Sequence, residues 1–296
     1  MAQSNPADPS VAIFGLGIMG SAFARNLIAC DFTVHGFDPS HETASSAEKS
    51  GVLIARTAAE AAQDCDVILT SLPSEAALSA TVDLLATHLN PSDKKKILVE
   101  LSTLSLNCKK DAYDQLGAAG VEMLDCPVSG TGAQALTKDI VLYASGDKAA
   151  FTDCQPAFDA IARESFYLGE LGNGTRMKFI ANLLVAIHNV ATAEAINLAR
   201  HSGLDPQRVY DVISSGAGTS RIFELRGPMM VQDSYDPATM KLDVWQKDMA
   251  LIKDFAEEVG VTTPLFEATR PLYEQANALG MGELDTAAVF KILAKT

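Results

Sequence analysis

The sequence is short of cysteine, tryptophan, histidine and positive charge. Its 296 residues include five cysteines, one tryptophan and five histidines, and 23 lysines and arginines stand against 37 aspartates and glutamates. Cys30, Cys65, Cys108, Cys126 and Cys154 are odd in number and scattered, with no Cys-x-x-Cys pair. That argues against a disulfide framework and against a metal site, and it fits a reducing, cytoplasmic setting. The formal charge of −14 would repel nucleic-acid phosphates, so no nucleic-acid partner is expected. Small anions remain open as ligands, because a local pocket can oppose the global sign. No apolar run reads as long enough to span a bilayer, so no membrane partner is expected. Residues 1–10 are polar and read as a loose tail without the apolar core of a signal peptide. What remains is an ordinary globular composition, 48% hydrophobic and 20% charged, with length enough for two domains.

The first positive signal follows the apolar residues 11–14. It is Gly15-Leu16-Gly17-Ile18-Met19-Gly20, a G-x-G-x-x-G run between a strand-like and a helix-like segment. In that context it reads as a dinucleotide loop. Gly15 makes the tight turn, Gly17 lets a pyrophosphate approach the backbone, and Gly20 lets the helix pack on the strand. The helix start supplies unpaired N–H groups to the phosphates. Asp38 closes the second strand-like run, 33–37. A carboxylate there accepts ribose hydroxyls and repels a 2′-phosphate. Pro39, Ser40 and His41 bring no arginine, so NAD is the expected cofactor.

Strand-like runs recur at 52–55, 67–71, 97–101, 121–124 and 140–144, with helical stretches at 58–63, 75–88, 106–119 and 148–162. That rhythm predicts a Rossmann-type α/β fold with a doubly wound parallel sheet, in which ligands sit at the carboxyl ends of the strands. Beyond Gly169 the strand rhythm stops. Helices are expected at 205–214, 220–225, 242–259, 264–279 and 285–294. The expected division is a nucleotide domain over 9–171 and an all-α domain over 172–296. The second opens on a helix of roughly 28 residues ending before Gly203, about twice the usual length. Asn173 or Thr175 is its expected cap. Apolar residues surround it nearly all round, which predicts burial. Lys178 and Asn182 are four apart on one of its faces; they read either as chemistry or as a snorkelling lysine and an interior asparagine.

Four blocks in order resemble the β-hydroxyacid dehydrogenase family, the group of 3-hydroxyisobutyrate dehydrogenase and tartronate semialdehyde reductase. They are the Gly15 to Gly20 loop with Asn26-Leu27, the Asp125 to Gly132 block, the stretch from Gly169 to Asn182, and Lys247-Asp248. The resemblance implies that Lys178 is the catalytic acid/base and that Asn182 orients the substrate. Ser129, Gly130 and Thr131 would hold the substrate carboxylate. Lys247 would reach the nicotinamide end, with Pro73 and Thr103 near the ring. Thr131 departs from the family pattern, which has a second glycine there. Residues 214–221 and 245–248 resemble the L-threonate dehydrogenase branch. The implied substrate is a small anionic hydroxyacid, and the implied assembly is a homodimer or homotetramer.

The chemistry then asks for a proton acceptor. A lysine serves only if burial or a nearby cation brings its pKa down from about 10.4, and a helix start also disfavours its ammonium form. Two other functions share the fold. An imine reductase would lack Lys178 and the Asp125 block, and a non-catalytic NAD-binding protein would not need them.

Overall fold

The computed structural model describes residues 9–88 and 96–294. The chain divides into two compact units, Met1–Lys178 and Phe179–Thr296. The division falls within the first turns of the long helix, a few residues after the boundary expected from the glycine cluster. Residues 1–8 of the expected tail lie outside the described residues; Ser10, counted with that tail, begins the first strand.

The first unit runs β1 (Ser10–Phe14), α1 (Ile18–Ile28), β2 (Thr33–Phe37), α2 (His41–Glu48), β3 (Leu53–Ile54), α3 (Ala58–Ala62), β4 (Val67–Thr70), α4 (Glu75–His88), β5 (Lys96–Glu100), α5 (Leu106–Ala118) and β6 (Val121–Asp125). The six strands form one parallel sheet in the order β3-β2-β1-β4-β5-β6. The order reverses between β1 and β4, the place where doubly wound sheets open a ligand crevice. Alternate residues feed the two faces. Val11, Ile13, Leu69 and Val99 pack with α1 residues Phe23 and Leu27. Ala12, Phe14, Ile68 and Leu98 pack with Leu78, Val82 and Leu116 of α4 and α5. Strands buried on both faces read as continuous apolar runs, which is why they were visible in the sequence.

One strand belongs elsewhere. The run at 140–144, expected in the parallel sheet, forms β8 of a separate three-stranded sheet. The chain continues through β7 (Val128–Ser129), α6 (Gly132–Leu136), β8 (Val141–Ala144), α7 (Lys148–Asp153), α8 (Gln155–Ile161) and β9 (Glu164–Tyr167). β8 pairs antiparallel with β7 and parallel with β9. A single bridge, Asp125 with Ser145, joins this small sheet to the end of β6. The expected helix at 148–162 is two helices, because Pro156 sits at the start of the second and cannot donate to the turn before it.

The second unit is helical throughout its described residues. It continues α9 (Asn173–His201) and adds α10 (Pro206–Ser214), α11 (Arg221–Gln232), α12 (Leu242–Glu258), α13 (Pro264–Ala278), a 3-10 turn at Thr286–Val289 and α14 (Phe290–Leu293). α11 is twice the length expected because it runs through Pro228. Proline leaves the carbonyl four residues back without its helical donor, and the Tyr210 hydroxyl donates to that carbonyl, Glu224 O, at 3.1 Å. The fully buried Asp285 joins α11 to the last turns. It accepts from Arg226, from Thr239 N–H and hydroxyl, and from Met240 and Ala287 N–H. Burial pushes this carboxyl up, but Arg226 and those donors outweigh it and hold the group below its ordinary value.

α9 corrects two expectations. By length and composition alone it is apolar enough to cross a membrane, a test that the core helix of a protein also passes. It is not covered all round: Ile180, Leu184 and Leu198 are exposed.

Lys96 supplies a test of the first unit. It is 6% exposed, and its ammonium donates to Ala62 O, Gln63 O and Cys65 O at 2.8, 3.0 and 2.9 Å. These carbonyls end α3, where helix partners run out. Lys96→Met should lower the free energy of unfolding by about 2–3 kcal/mol, the scale of charge-assisted hydrogen bonds. Urea unfolding followed by circular dichroism measures it, and a loss under about 0.5 kcal/mol would mean that water replaces the ammonium.

Candidate active site

The carboxyl edge of the parallel sheet gathers most of the candidate residues of the first unit. Gly15 follows β1, Asp38 follows β2, Pro73 follows β4 and Thr103 follows β5. Hydrogen bonds tie these loops to one another. Leu16 N–H donates to Asp38 Oδ2 at 2.8 Å, and Ser40 N–H donates to Asp38 Oδ1 at 2.8 Å. Leu72 N–H donates to Ser102 Oγ at 2.8 Å. Both Asp38 oxygens are thereby aimed, and each keeps a further lone pair for a hydroxyl donor.

The glycines of the loop divide into two kinds. A Cβ on Gly20 would lie 1.9 Å from Gly15 O, so this position serves the packing of helix on turn. A Cβ on Gly17 would meet nothing within 4 Å. Gly17 is the N-cap of α1, and no side chain caps that helix. An open approach to unpaired N–H groups, beside an aimed carboxylate, fits a dinucleotide: phosphates on the helix start and a ribose on Asp38. Ile18 and Met19 complete this first turn. Ile18 is 76% exposed, and its Cγ2 would lie 2.2 Å from a Cβ on Gly132. Asn26 of α1 donates to Ala135 O of α6 at 2.7 Å, so the dinucleotide loop and the Ser129 to Gly132 turn are packed together.

Ser129 lies in β7 and is half-buried. Gly130 takes φ +143°. Thr131 takes φ −106° and ψ 170°, extended backbone open to any residue, and is the N-cap of α6. The departure from glycine at Thr131 is therefore free of backbone strain. Its N–H and hydroxyl both donate toward Gln134 Oε1, at 3.1 and 3.2 Å. That N–H is occupied, which leaves Ser129 and the other N–H groups of the turn for an anion.

The start of α9 is not capped by its own residues. Asn173 Nδ2 donates to Leu168 O at 2.8 Å, and the Thr175 hydroxyl donates to Asp125 Oδ1 at 2.7 Å. The caps come from afar: Gly174 N–H donates to Ser145 Oγ at 2.9 Å and Thr175 N–H to Asp125 Oδ2 at 2.8 Å. Such an approach requires glycine, because a Cβ on Gly174 would lie 2.2 Å from Tyr143 O and 2.6 Å from Asp125 O. Lys178, three residues further on, is 7% exposed. Arg176 instead faces outward and donates to Asn173 Oδ1 at 2.7 Å.

The second unit brings together Asn182 and Lys247 through a residue not counted among the candidates. Asp248 is buried on α12. It accepts from Asn182 Nδ2 at 2.9 Å and lies 3.8 Å from Lys247 Nζ. With its amide nitrogen held by Asp248, Asn182 presents its carbonyl oxygen as an acceptor. In the sequence Asp248 is part of the Lys247-Asp248 block that resembles the family, but the resemblance gives a role only to Lys247. Arg221 is a surface partner of Glu224 at 3.2 Å. Burial pushes the Cys126 thiol well above its ordinary value, and Asp125 adds to the shift. It is a packing residue and not a nucleophile.

Comparison with known proteins gives the family. Residues 10–169 match the NAD binding domain of 6-phosphogluconate dehydrogenase, and residues 172–293 match the NAD-binding domain of NADP-dependent 3-hydroxyisobutyrate dehydrogenase. Glyoxylate/succinic semialdehyde reductase 1 of Arabidopsis thaliana is 31% identical over 95% of this chain and 97% of its own length. The chain belongs to the β-hydroxyacid dehydrogenase family. L-threonate dehydrogenase of Cupriavidus necator is also 31% identical, over 96% of this chain and 95% of its own. A solved structure of 3-hydroxyisobutyrate dehydrogenase from Mycobacterium tuberculosis with L-serine has a TM-score of 0.87 at 27% identity, covering 97% of this chain and 99% of that one. The protein is accordingly an oxidoreductase of CH–OH groups that uses a nicotinamide dinucleotide. An imine reductase of Bacillus cereus, 17% identical with a TM-score of 0.61, shares the fold alone.

The two glycines give a test of the cofactor loop. Gly17→Ala should leave the protein folded, with a cap penalty of about 0.5–1 kcal/mol, and weaken binding of the nicotinamide dinucleotide on the order of tenfold. Gly20→Ala should instead destabilise the fold by about 1–3 kcal/mol through overpacking. Calorimetric titration and thermal melts separate the two. Equal loss of stability in both variants would make Gly17 a folding residue.

Proposed function

We propose that this enzyme transfers a hydride between NAD and a small hydroxycarboxylic acid, a 3-hydroxy acid or a sugar acid such as L-threonate. One observation carries the proposal. A lysine, Lys178, is buried one turn beyond a helix start that Asp125 holds against the sheet bearing the dinucleotide loop. The names of the relatives, two hydroxyacid dehydrogenases and an aldehyde-acid reductase, support the substrate class. In this proposal Lys178 takes the hydroxyl proton during oxidation and returns it to the carbonyl during reduction. Asn182, aimed by Asp248, holds the substrate through its amide oxygen. Ser129 and Gly130 receive the carboxylate in the turn that Thr131 holds through Gln134, and Lys247 reaches the nicotinamide end. Gly15 to Gly20, Asp38, Pro73 and Thr103 hold the dinucleotide. When bound, the nicotinamide supplies the hydride acceptor or donor.

Asp38 supports NAD over NADP, since both its oxygens are fixed and Pro39, Ser40 and His41 bring no lysine or arginine. The free state of all five cysteines supports a cytoplasmic setting. The exposed Ile180, Leu184 and Leu198 of α9 support a homodimer or homotetramer.

Two variants test the proposal. Lys178→Ala should lower kcat by about 10²–10⁴-fold, the usual contribution of proton transfer, while NAD still binds. The rise of kcat/KM with pH in oxidation should lose the limb due to one proton. Lys178→Arg should not restore it, because guanidinium keeps its proton. Near-native turnover of Lys178→Ala at every pH would move the proton transfer to another group. For the cofactor, kcat/KM should favour NAD over NADP, and Asp38→Ala should weaken NAD and narrow the gap. A native preference for NADP would overturn the assignment.

A further inference from the structure

Three buried charges of the first unit meet at one place, around a lysine the proposed chemistry does not use. Lys109 of α5 is 1% exposed, and Glu100 and Asp125 at the ends of β5 and β6 are fully buried. The Lys109 ammonium donates to Asp125 Oδ1 at 2.7 Å and to Ser102 O at 2.8 Å, and it lies 4.0 Å from Glu100 Oε1. Glu100 accepts from Ser102 N–H at 2.7 Å and from the hydroxyl of Thr70, at the end of β4. Asp125 accepts from Thr175 N–H and hydroxyl, and Ser145, which caps Gly174, lies 3.3 Å from Asp125 Oδ2. One cation therefore joins three strand ends and the first turn of α9. The loops that leave those strand ends carry Pro73, Thr103 and Ser129, and the helix carries Lys178.

We propose that Lys109 is a positioning residue for hydride transfer. It fixes Asp125, and through Asp125 the first turn of α9, so that Lys178 is held in register with the strand-end loops. This rests on Lys178 being the proton-transfer group. The physical basis is that two buried carboxylates with one ammonium have few alternative arrangements. A buried carboxylate that lost its cation would seek water or another donor. The donors nearest to Asp125 are those at the start of α9, so the helix would shift with it. Reacting atoms tolerate little such displacement, about 1 Å costing on the order of 10²-fold in rate. Lys109 touches neither substrate nor cofactor in this scheme.

The test separates positioning from folding. Lys109→Met strands two buried carboxylates, and the variant can fail to fold. Lys109→Met/Asp125→Asn removes one charge of each sign and keeps an amide oxygen for Thr175 N–H, so it decides the matter. The folded fraction is set by circular dichroism. L-threonate and 3-hydroxyisobutyrate, each also with deuterium at its carbinol carbons, are oxidised with NAD, and hydrogen exchange is followed over residues 173–182. For the folded double variant, kcat should fall about 10²-fold, and the deuterium effect on kcat should rise as hydride transfer becomes limiting. Amide exchange at 174–178 should accelerate, while the Kd for NADH stays within about twofold. A purely structural role would lower the folded fraction only, leaving the isotope effect and the kcat per folded enzyme as in the native protein. That result, or unchanged exchange at 174–178, overturns the proposal. If the native enzyme oxidises neither acid with NAD or NADP, the proposed function fails by itself, and the exchange data still decide whether Lys109 holds α9.

Discussion

A carboxylate meeting a helix start from outside is the contact on which the first unit's site depends. The Asn173 N–H at the start of α9 meets Glu170 O close by, but Gly174 and Thr175 have no partners in their own helix, and Asn173 and Thr175 turn their side chains to Leu168 and Asp125. Asp125 and Ser145, 50 and 29 residues upstream of their bonding partners, fill the gap. Gly174 is the condition for this approach, because any side chain there would overlap the carbonyls of Tyr143 and Asp125. Burying the pair contributes little net stability by itself, since desolvation offsets much of the attraction. Its removal is costly, and that asymmetry makes it a positional constraint. Lys178 inherits its place from a contact three residues away.

The second unit solves its own assembly in the same way. Asp285, also fully buried, accepts from a basic side chain and from both the N–H and the hydroxyl of one threonine, Thr239. Asp125 does the same with Lys109 and Thr175. In both cases the carboxylate lies where a chain segment would otherwise bury unpaired N–H groups, which are expensive to leave unmet. Asp248 is a smaller version, dividing its two oxygens between Asn182 and Lys247. Three buried aspartates thus organise three junctions, in a chain whose many other acids are solvated.

What could be read from the sequence follows from how local each feature is. Gly15 to Gly20 and Asp38 state their geometry in consecutive residues. Asp205-Pro206 writes a helix start as a cap followed by a rigid first residue, and α10 begins there. The strands of the parallel sheet are legible because both faces are covered. Features made by distant partners were not legible. The run at 140–144 has the right composition for a sheet strand, but its partners are Val128 and Ser129 on one side and the alternately exposed 164–167 on the other. α11 outlasts Pro228 because of a hydroxyl on another helix. The role of Asp125 was hidden because its partners lie far along the chain, and Lys109 looked like any lysine on a helix face.

The two long-range helix starts in the first unit end in opposite electrostatic states, and this divides their work. α1 begins at Gly17 with no capping side chain, so its positive end remains available to an anion. α9 begins against a carboxylate, which answers its dipole and closes that end to ligands. The helix start expected to press on the Lys178 ammonium is therefore largely balanced, and Lys109 in turn balances Asp125. A chain carrying −14 cannot attract anionic ligands by its overall field. It must do so at short range, through groups left uncompensated. The open start of α1 is such a group. The start of α9, met by Asp125 and Ser145, is not.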